Sequence, residues 1–195
     1  MKSNNTKLLI FSAPSGSGKT TIVQWLMNTH PELHLAFSIS CTSRPPRGKE
    51  QHGREYFFLS NEEFLQRIEE NAFVEYEEVY KGCFYGTLKE QVEEQRKQGN
   101  NVVFDVDVKG GCTIKQQYGQ QALSIFIQPP SIEELEKRLL QRGTDAPEVI
   151  QRRIEKATYE LTFAKYFDHV VVNDDLQKAE QQVYNIVKQY FEAEE

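Results

Sequence analysis

Cysteine is scarce in this chain, and none of it is spaced for metal binding or cross-linking. Cys41, Cys83 and Cys112 are odd in number, lie far apart and form no C-x-x-C pair. With only four scattered histidines, no zinc spacing exists. Three structural thiols in a reducing compartment are expected. Long apolar runs are missing as well. The segment before Lys7 is polar, and the run at residues 8–13 is six residues long, too short for a membrane span or a secretory signal. A cytoplasmic location with no membrane partner is therefore expected. Positive charge is not in excess: 23 Lys and Arg stand against 29 Asp and Glu, a net charge of −6, with pI ≈ 5.4. That argues against a nucleic-acid or anionic-membrane binder, whose electrostatic attraction needs a positive surface. It does not argue against a small anionic substrate, because a pocket can be basic in an acidic protein. Internal repeats and low-complexity tracts are absent too.

What is present suits one α/β domain. At 195 residues the chain can bury a core without disulfides or metal. Residues 7–13 read as a buried strand and 19–28 as a helix with Ile22, Val23, Leu26 and Met27 on one side. Residues 35–41 alternate apolar and small polar, predicting one half-buried strand. After a polar stretch with Pro45, Pro46, Gly48 and Gly53, strands are expected at 56–59 and 73–79, separated by a helix capped by Ser60 with Glu63. Thr87 with Glu90 reads as a second capping box, with Gly99 just past that helix. Residues 101–108 suit a central parallel strand covered on both faces, and 121–128 a further one. Ser131 caps a helix to about Gln141; 147–165 is helical, 169–172 a strand and 175–192 a last amphipathic helix. Alternation of helix and strand at both ends predicts a parallel sheet, and residues 35–87 break that rhythm as an inserted, mostly antiparallel subdomain.

Between the first strand and first helix lie Ala13, Pro14, Ser15, Gly16, Ser17, Gly18, Lys19 and Thr20. This is a P-loop in its required context of strand, glycine-rich turn and helix, and it points to ATP. Glycines let backbone N–H groups converge on phosphate oxygens, the helix N-terminus adds positive potential, and Lys19 reaches the β/γ-phosphates. The Thr20 hydroxyl is expected on Mg²⁺, and Ala13 through Thr21 are the expected ATP contacts. Ala13 replaces the usual first glycine, which requires φ < 0 at that position. Asp105 has two open readings: a Mg²⁺ carboxylate, or a neighbour of a helix N-terminus with no ligand role.

Two further basic clusters stand out against the acidic background. Arg44, Arg47, Lys49 and Arg54 face only Glu50 and Glu55, a local charge of +2 over residues 42–56. Lys137, Arg138, Arg142, Arg152, Arg153 and Lys156 face Asp145, Glu148 and Glu155, giving +3 over 137–156. Arg138 and Arg142 are one helical turn apart, and residues 143–147 offer a lid tip. Arginines recognise phosphate bidentately, and Tyr56 and Tyr85 can add hydrogen bonds. A P-loop with two more arginine clusters is what phosphoryl transfer between two phosphate-bearing molecules demands.

With these motifs the chain resembles the guanylate kinase family nearly end to end. The resemblance rests on the P-loop, on residues 40–50 (Ser40, Arg44 and Arg47 among them), and on Gly53 to Phe58. It continues through Phe73 to Tyr76, Phe84 to Thr87, Asp105-Val106-Asp107, Arg138 to Thr144 and Val171 to Asp175. The resemblance implies an α/β fold: a P-loop three-layer core with a central parallel sheet, an inserted, mainly antiparallel GMP-binding subdomain and a helical lid. It implies one domain over 1–195, with core at about 1–34, 88–137 and 157–195, insert at about 35–87 and lid at about 138–156. It also implies ATP + GMP = ADP + GDP with Mg²⁺, dGMP as a second acceptor, and a monomer or homodimer. The GMP phosphate would meet Arg44, Arg47, Tyr56 and Tyr85, and guanine would be read by Ser40, Glu75, Thr87 and Asp107. Arg138, Arg142 and Arg153 would close over the ATP phosphates, beside Lys19 and Arg44 as catalytic groups, with Asn173 near adenine. The chemistry agrees, since a carboxylate such as Glu75 can accept from guanine N1–H and N2–H₂ together, and adenine would leave such groups unpaired.

Residues 75–85 form a segment one residue longer than in many relatives. Two other readings compete. A non-catalytic interaction module would have no need of Lys19 and the arginines. A kinase of another phosphorylated acceptor, such as a ribose bisphosphate, would have no need of Glu75 and Thr87.

Overall fold

The computed structural model describes residues 6–143 and 146–193, without the side chains of Tyr80 and Arg142. Five parallel strands form the main sheet, in the order β2-β7-β1-β8-β9: β1 Leu8–Ser12, β2 Leu35–Phe37, β7 Asn101–Asp105, β8 Ala122–Gln128 and β9 His169–Val172. The central strand shows why both faces are covered. Leu9 and Phe11 point to one side with Ile22, Val23 and Leu26 of α1 (Lys19–Thr29) and Ala179, Val183 and Val187 of α7 (Leu176–Glu192). Leu8 and Ile10 point to the other, with Val92 of α3 (Lys89–Lys97) and Val108 and Ile114 of α4 (Val108–Tyr118). A continuous apolar run is the sequence form of a strand buried on both faces.

A second sheet of four strands has the order β4-β3-β6-β5, formed by β3 Cys41–Thr42, β4 Phe57–Phe58, β5 Phe73–Tyr80 and β6 Cys83–Leu88. It is mixed: β3 and β4 run parallel, while β3–β6 and β5–β6 are antiparallel. Its core joins Cys41, Phe73 and Leu88 to Phe64 of α2 (Asn61–Glu69). The Ser60–Glu63 capping box is present as expected, each side chain bonding the other residue's N–H. A third cluster, Leu135 and Leu139 of α5 (Ile132–Arg142) with Ile150 and Ala157 of α6 (Pro147–Leu161), holds the two lid-region helices together.

Three expectations change. Residues 35–41 are not one strand: Leu35–Phe37 pairs with β7 in the main sheet, and the chain then crosses to the second sheet at Cys41. Alternation alone cannot reveal which sheet a strand joins, so the crossing falls after Phe37. Thr87 does not cap α3, whose N-cap is Leu88 with no side-chain bond, because the Thr87 hydroxyl is spent on Glu75. The strand expected to run to Val108 ends at Asp105, and Asp107 then caps α4 by accepting from the Gly110 N–H. Helix α1 lies on one face of the sheet and α4 on the other, while their strands β1 and β7 are neighbours. The crevice at the carboxyl ends of such a strand pair is where open α/β sheets bind ligands. No helix among the described residues is long and apolar enough to cross a membrane.

Candidate active site

The turn after β1 carries Gly16 at φ 98° and Gly18 at φ 92°, left-handed values that only glycine takes without strain. Ala13 is not among the positive-φ residues, so the alanine fits there. Pro14, Ser15, Gly16, Gly18, Lys19, Thr20 and Thr21 wall a cavity of about 380 Å³ with Ala13, Asp105, Val106 and Asp107. Lys19 is held over it by an ion pair to Asp105 and by Nζ donating to the Val106 carbonyl at 3.2 Å. Ser17 differs from its neighbours. Its N–H closes a turn onto the Pro14 carbonyl at 3.1 Å, and the residue is fully buried and not on the cavity wall. Asn173, at the end of β9, donates to the Ser17 carbonyl at 2.8 Å and so braces the loop from behind. It also borders a third cavity, of about 410 Å³, with Gly16, Gly18, Thr21 and Arg138.

Arg153 on α6 donates to the Ser15 hydroxyl at 2.8 Å, bringing the lid helix onto the loop. Arg138 on α5 bonds Glu134 at 3.2 Å, one turn back. The backbone of Arg142 ends α5, and its side chain lies outside the described residues, as do Thr144 and Asp145.

The second cavity, about 410 Å³, shares the wall Asp105-Val106-Asp107 with the first. Its other walls are Ser40, Arg47, Tyr56, Glu75, Glu77, Val79, Tyr85, Gly86 and Lys156. Arg44 stands beside it: Nε donates to the Tyr85 hydroxyl at 2.9 Å, and the guanidinium grips Glu50 bidentately at 2.6 and 2.8 Å while stacking 5.0 Å over Tyr56. The paired Arg44 holds the Glu50 carboxyl well below its ordinary range, at about 2, and Glu50 in turn keeps Arg44 protonated. At the far end Thr87, fully buried, donates to Glu75 Oε1 at 2.7 Å. Burial raises Glu75 to about 7, with Asp107 and Glu77 adding to the rise and the Thr87 bond opposing it. Burial also raises Tyr56. Residues 75–85 contain a register irregularity between Glu78 and Tyr80.

Most of the expected residues thus gather at two adjoining cavities; Arg44 and the buried Thr87 stand beside the second without lining it, and Arg138 and Asn173 border the third. Four participants escaped the sequence reading. Glu50, in the sequence an offsetting charge at the end of the stretch 40–50, clamps Arg44, and its place six residues after Arg44 and three after Arg47 is the signal for it. Glu77 and the buried Glu160, which also lines the first cavity, carry no motif, and the Val106 carbonyl is main chain within Asp105-Val106-Asp107, where no side-chain signal marks it. Burial raises Glu160, with Lys156 opposing. For a hard cation the side-chain donors of the first cavity are oxygens, the Thr20 hydroxyl and the Asp105 carboxylate among them, with Ser15, Thr21, Asp107 and Glu160 also on its walls; among the described residues no cluster of three His, Cys, Asp or Glu could hold a metal alone.

A P-loop at a sheet switch point, with a second polar cavity on the same wall, defines a nucleotide-dependent phosphotransferase. Comparison with known proteins narrows the class. The guanylate kinase family model matches residues 5–190. The guanylate kinase of Bacteroides thetaiotaomicron is 62% identical over 194 residues, covering 100% of this chain and 94% of that protein. That of Porphyromonas gingivalis is 57% identical over 95% of this chain and 98% of its own length. Among solved structures, guanylate kinase from Anaplasma phagocytophilum superposes with a TM-score of 0.71 at 26% identity, over 95% of this chain and 86% of its own. The chain belongs to the guanylate kinase family.

Proposed function

We propose that the protein transfers the γ-phosphoryl group of ATP directly to GMP, giving ADP and GDP, and that the two adjoining cavities are the two nucleotide sites. The observation that carries this reading is their common wall, Asp105 to Asp107: an ATP phosphate chain on the P-loop and an acceptor phosphate near Arg47 would meet there. Lys19, Arg44, Arg138, Arg142 and Arg153 would be the catalytic cations, offsetting the charge spread over the transferred group. Ala13 to Thr21 and Asn173 form the ATP side. Arg44, Arg47, Tyr56 and Tyr85 take the GMP phosphate, and Ser40, Glu75, Thr87 and Asp107 read the base. A phosphate oxygen of GMP is already a capable nucleophile, so no general base is required. Positioning under a water-excluding lid does the remaining work.

The oxygen-only donor set fits Mg²⁺, which keeps its waters and takes one or two protein ligands alongside substrate phosphates. Thr20 and Asp105 would hold it, and when bound it would supply positive charge that offsets the charge of the substrate phosphates. Asp105 now neutralises Lys19, so both groups are kept close to the phosphate path without a bare buried charge.

The test is a coupled ADP-release assay with GMP, dGMP, AMP, CMP and a ribose phosphate as acceptors. GMP should lead AMP and CMP by several orders of magnitude, because the wrong base leaves buried groups unpaired. Faster turnover of the ribose phosphate would replace the acceptor, and no turnover with any of them would return the chain to a binding module.

A further inference from the structure

One cation on the acceptor wall has no task in the phosphoryl transfer proposed above. Lys156 belongs to α6, the helix that reaches the P-loop through Arg153. Positions 153, 156 and 160 are three and four residues apart and so share one face of that helix. The adjacent face, with Ile150 and Ala157, is taken up by α5. Along the first face each side chain serves a different part of the cleft. Arg153 meets Ser15 on the P-loop. Glu160, 5% exposed, lines the first cavity and also a side cavity of about 270 Å³ between β5, α4 and α6. Lys156 lines that side cavity and the 410 Å³ acceptor cavity.

The Lys156 ammonium is paired with Glu160 at 3.6 Å. A buried carboxylate is costly without a cation beside it, so the pair draws the lysine towards the cleft. Where the acceptor and side cavities join, the other wall residues are Glu77, Val79 and Asp107. Val79 has no polar side-chain atom, and a carboxylate only accepts, whereas a lysine brings three N–H donors. In the GMP reading the base is taken by Ser40, Glu75, Thr87 and Asp107, and the phosphate by Arg44, Arg47, Tyr56 and Tyr85. The ribose joins those two parts of the nucleotide and is left without a partner, although its hydroxyl oxygens can accept.

We propose that Lys156 is a further acceptor-binding residue: carried on the lid helix and held by Glu160, its ammonium donates to a ribose hydroxyl of the nucleotide in the acceptor cavity. This rests on the GMP reading above. One face of α6 then touches the donor side through Arg153 and the acceptor through Lys156.

The experiment measures affinity by titration calorimetry without ATP for GMP, 2′-deoxy-GMP and 3′-deoxy-GMP, in wild type, Lys156→Met and the Lys156→Met/Glu160→Gln double variant. Met keeps the length of the stem but cannot donate, so GMP should bind about five- to tenfold more weakly, the scale of one hydrogen bond. For the nucleotide that lacks the contacted hydroxyl, the Met penalty should shrink below about twofold, because the bond is already gone. The double variant leaves no orphaned carboxylate and should bind GMP as weakly as Lys156→Met. Affinity for a non-hydrolysable ATP analogue should be the same in Lys156→Met as in wild type. A penalty of full size with both deoxynucleotides would overturn the proposal, since the lysine would then act through its charge alone. Wild-type affinity restored in the double variant, or an equal loss for the ATP analogue, would overturn it as well, by reducing Lys156 to a support for Glu160 or for the lid. A wild type that binds no GMP would overturn the acceptor reading, and this proposal with it.

Discussion

On the proposed reading, the placement of Glu75 serves binding at the expense of the fold. Burial favours its neutral form, lifting it from an ordinary 4.5 to about 7. The sign follows from proton linkage: between those two values the folded chain holds a proton that the unfolded chain has released, so stability falls as pH rises from about 4.5 to 7 and is level above. Glu75→Gln removes that loss while still accepting from Thr87. Urea unfolding should find the variant more stable by roughly 1–3 kcal/mol at pH 8, with the difference gone near pH 4.5. GMP binding should respond in the opposite sense. The ionised carboxylate accepts from two guanine donors and Gln from only one, so GMP affinity at pH 8 should drop at least about tenfold in Gln. In wild type it should weaken as pH falls from 8 to 6. A variant no more stable than wild type at pH 8, or one that binds GMP as tightly, would refute the assignment. Glu75 was legible because it sits in a recognisable motif. Glu50 was marked only by its spacing from Arg44 and Arg47, and Glu77 by nothing, since the Lys109 it accepts from lies 32 residues away and only the fold brings it near.

The same divide runs through the elements. Strands β1 and β7, helix α1 and the Ser60 cap follow from local chemistry: apolar runs, a glycine turn and a Ser–Glu pair three apart. Helix α4 was hidden by Gly110 and Gly111, poor helix formers whose reason is tertiary. A Cβ on Gly111 would lie 2.7 Å from Ser12 Oγ and 3.1 Å from the Phe167 ring, and one on Gly110 would press on Glu75 at 3.1 Å. The helix is thus glycine-lined where it seats against β1 and Glu75. Thr87 misled in the converse way, having the spacing of a cap but a tertiary partner. Gly111→Ala gains helix propensity of about 1 kcal/mol and should still destabilise the protein, by about 1–3 kcal/mol, through the clash. Ser12 Oγ donates to the carbonyls of Val106 and Asp107, so displacing it should also shift the wall shared by the two cavities. Thermal unfolding with GMP and ATP titrations reads both effects; a stabilised Gly111→Ala would mean that propensity rather than packing governs this helix.

At the scale of the whole molecule the issue is charge. A net −6 would repel nucleotides if it were spread evenly, and salt would then strengthen binding by screening that repulsion. The distribution is uneven. Residues 42–56 and 137–156 together carry +5, so the remaining 160 carry −11. Arg47, Lys156 and Lys19 stand on the cavity walls, with Arg44 and Arg153 alongside. Much of the acid lies on outer helix surfaces, such as the exposed Glu62, Glu69, Glu93 and Glu136. At about 0.15 M salt the screening length is about 8 Å, so a phosphate in the cleft responds to the nearby cations more than to distant carboxylates. The two pictures predict opposite signs. With the basic cleft in control, raising potassium chloride from about 0.05 to 0.5 M should weaken GMP binding several-fold and ATP binding at least as much, because ATP carries more charge. Calorimetry across that range at pH 8 decides the matter: affinity that is flat or rises with salt would mean that the net charge, not the local cluster, sets the field at the site.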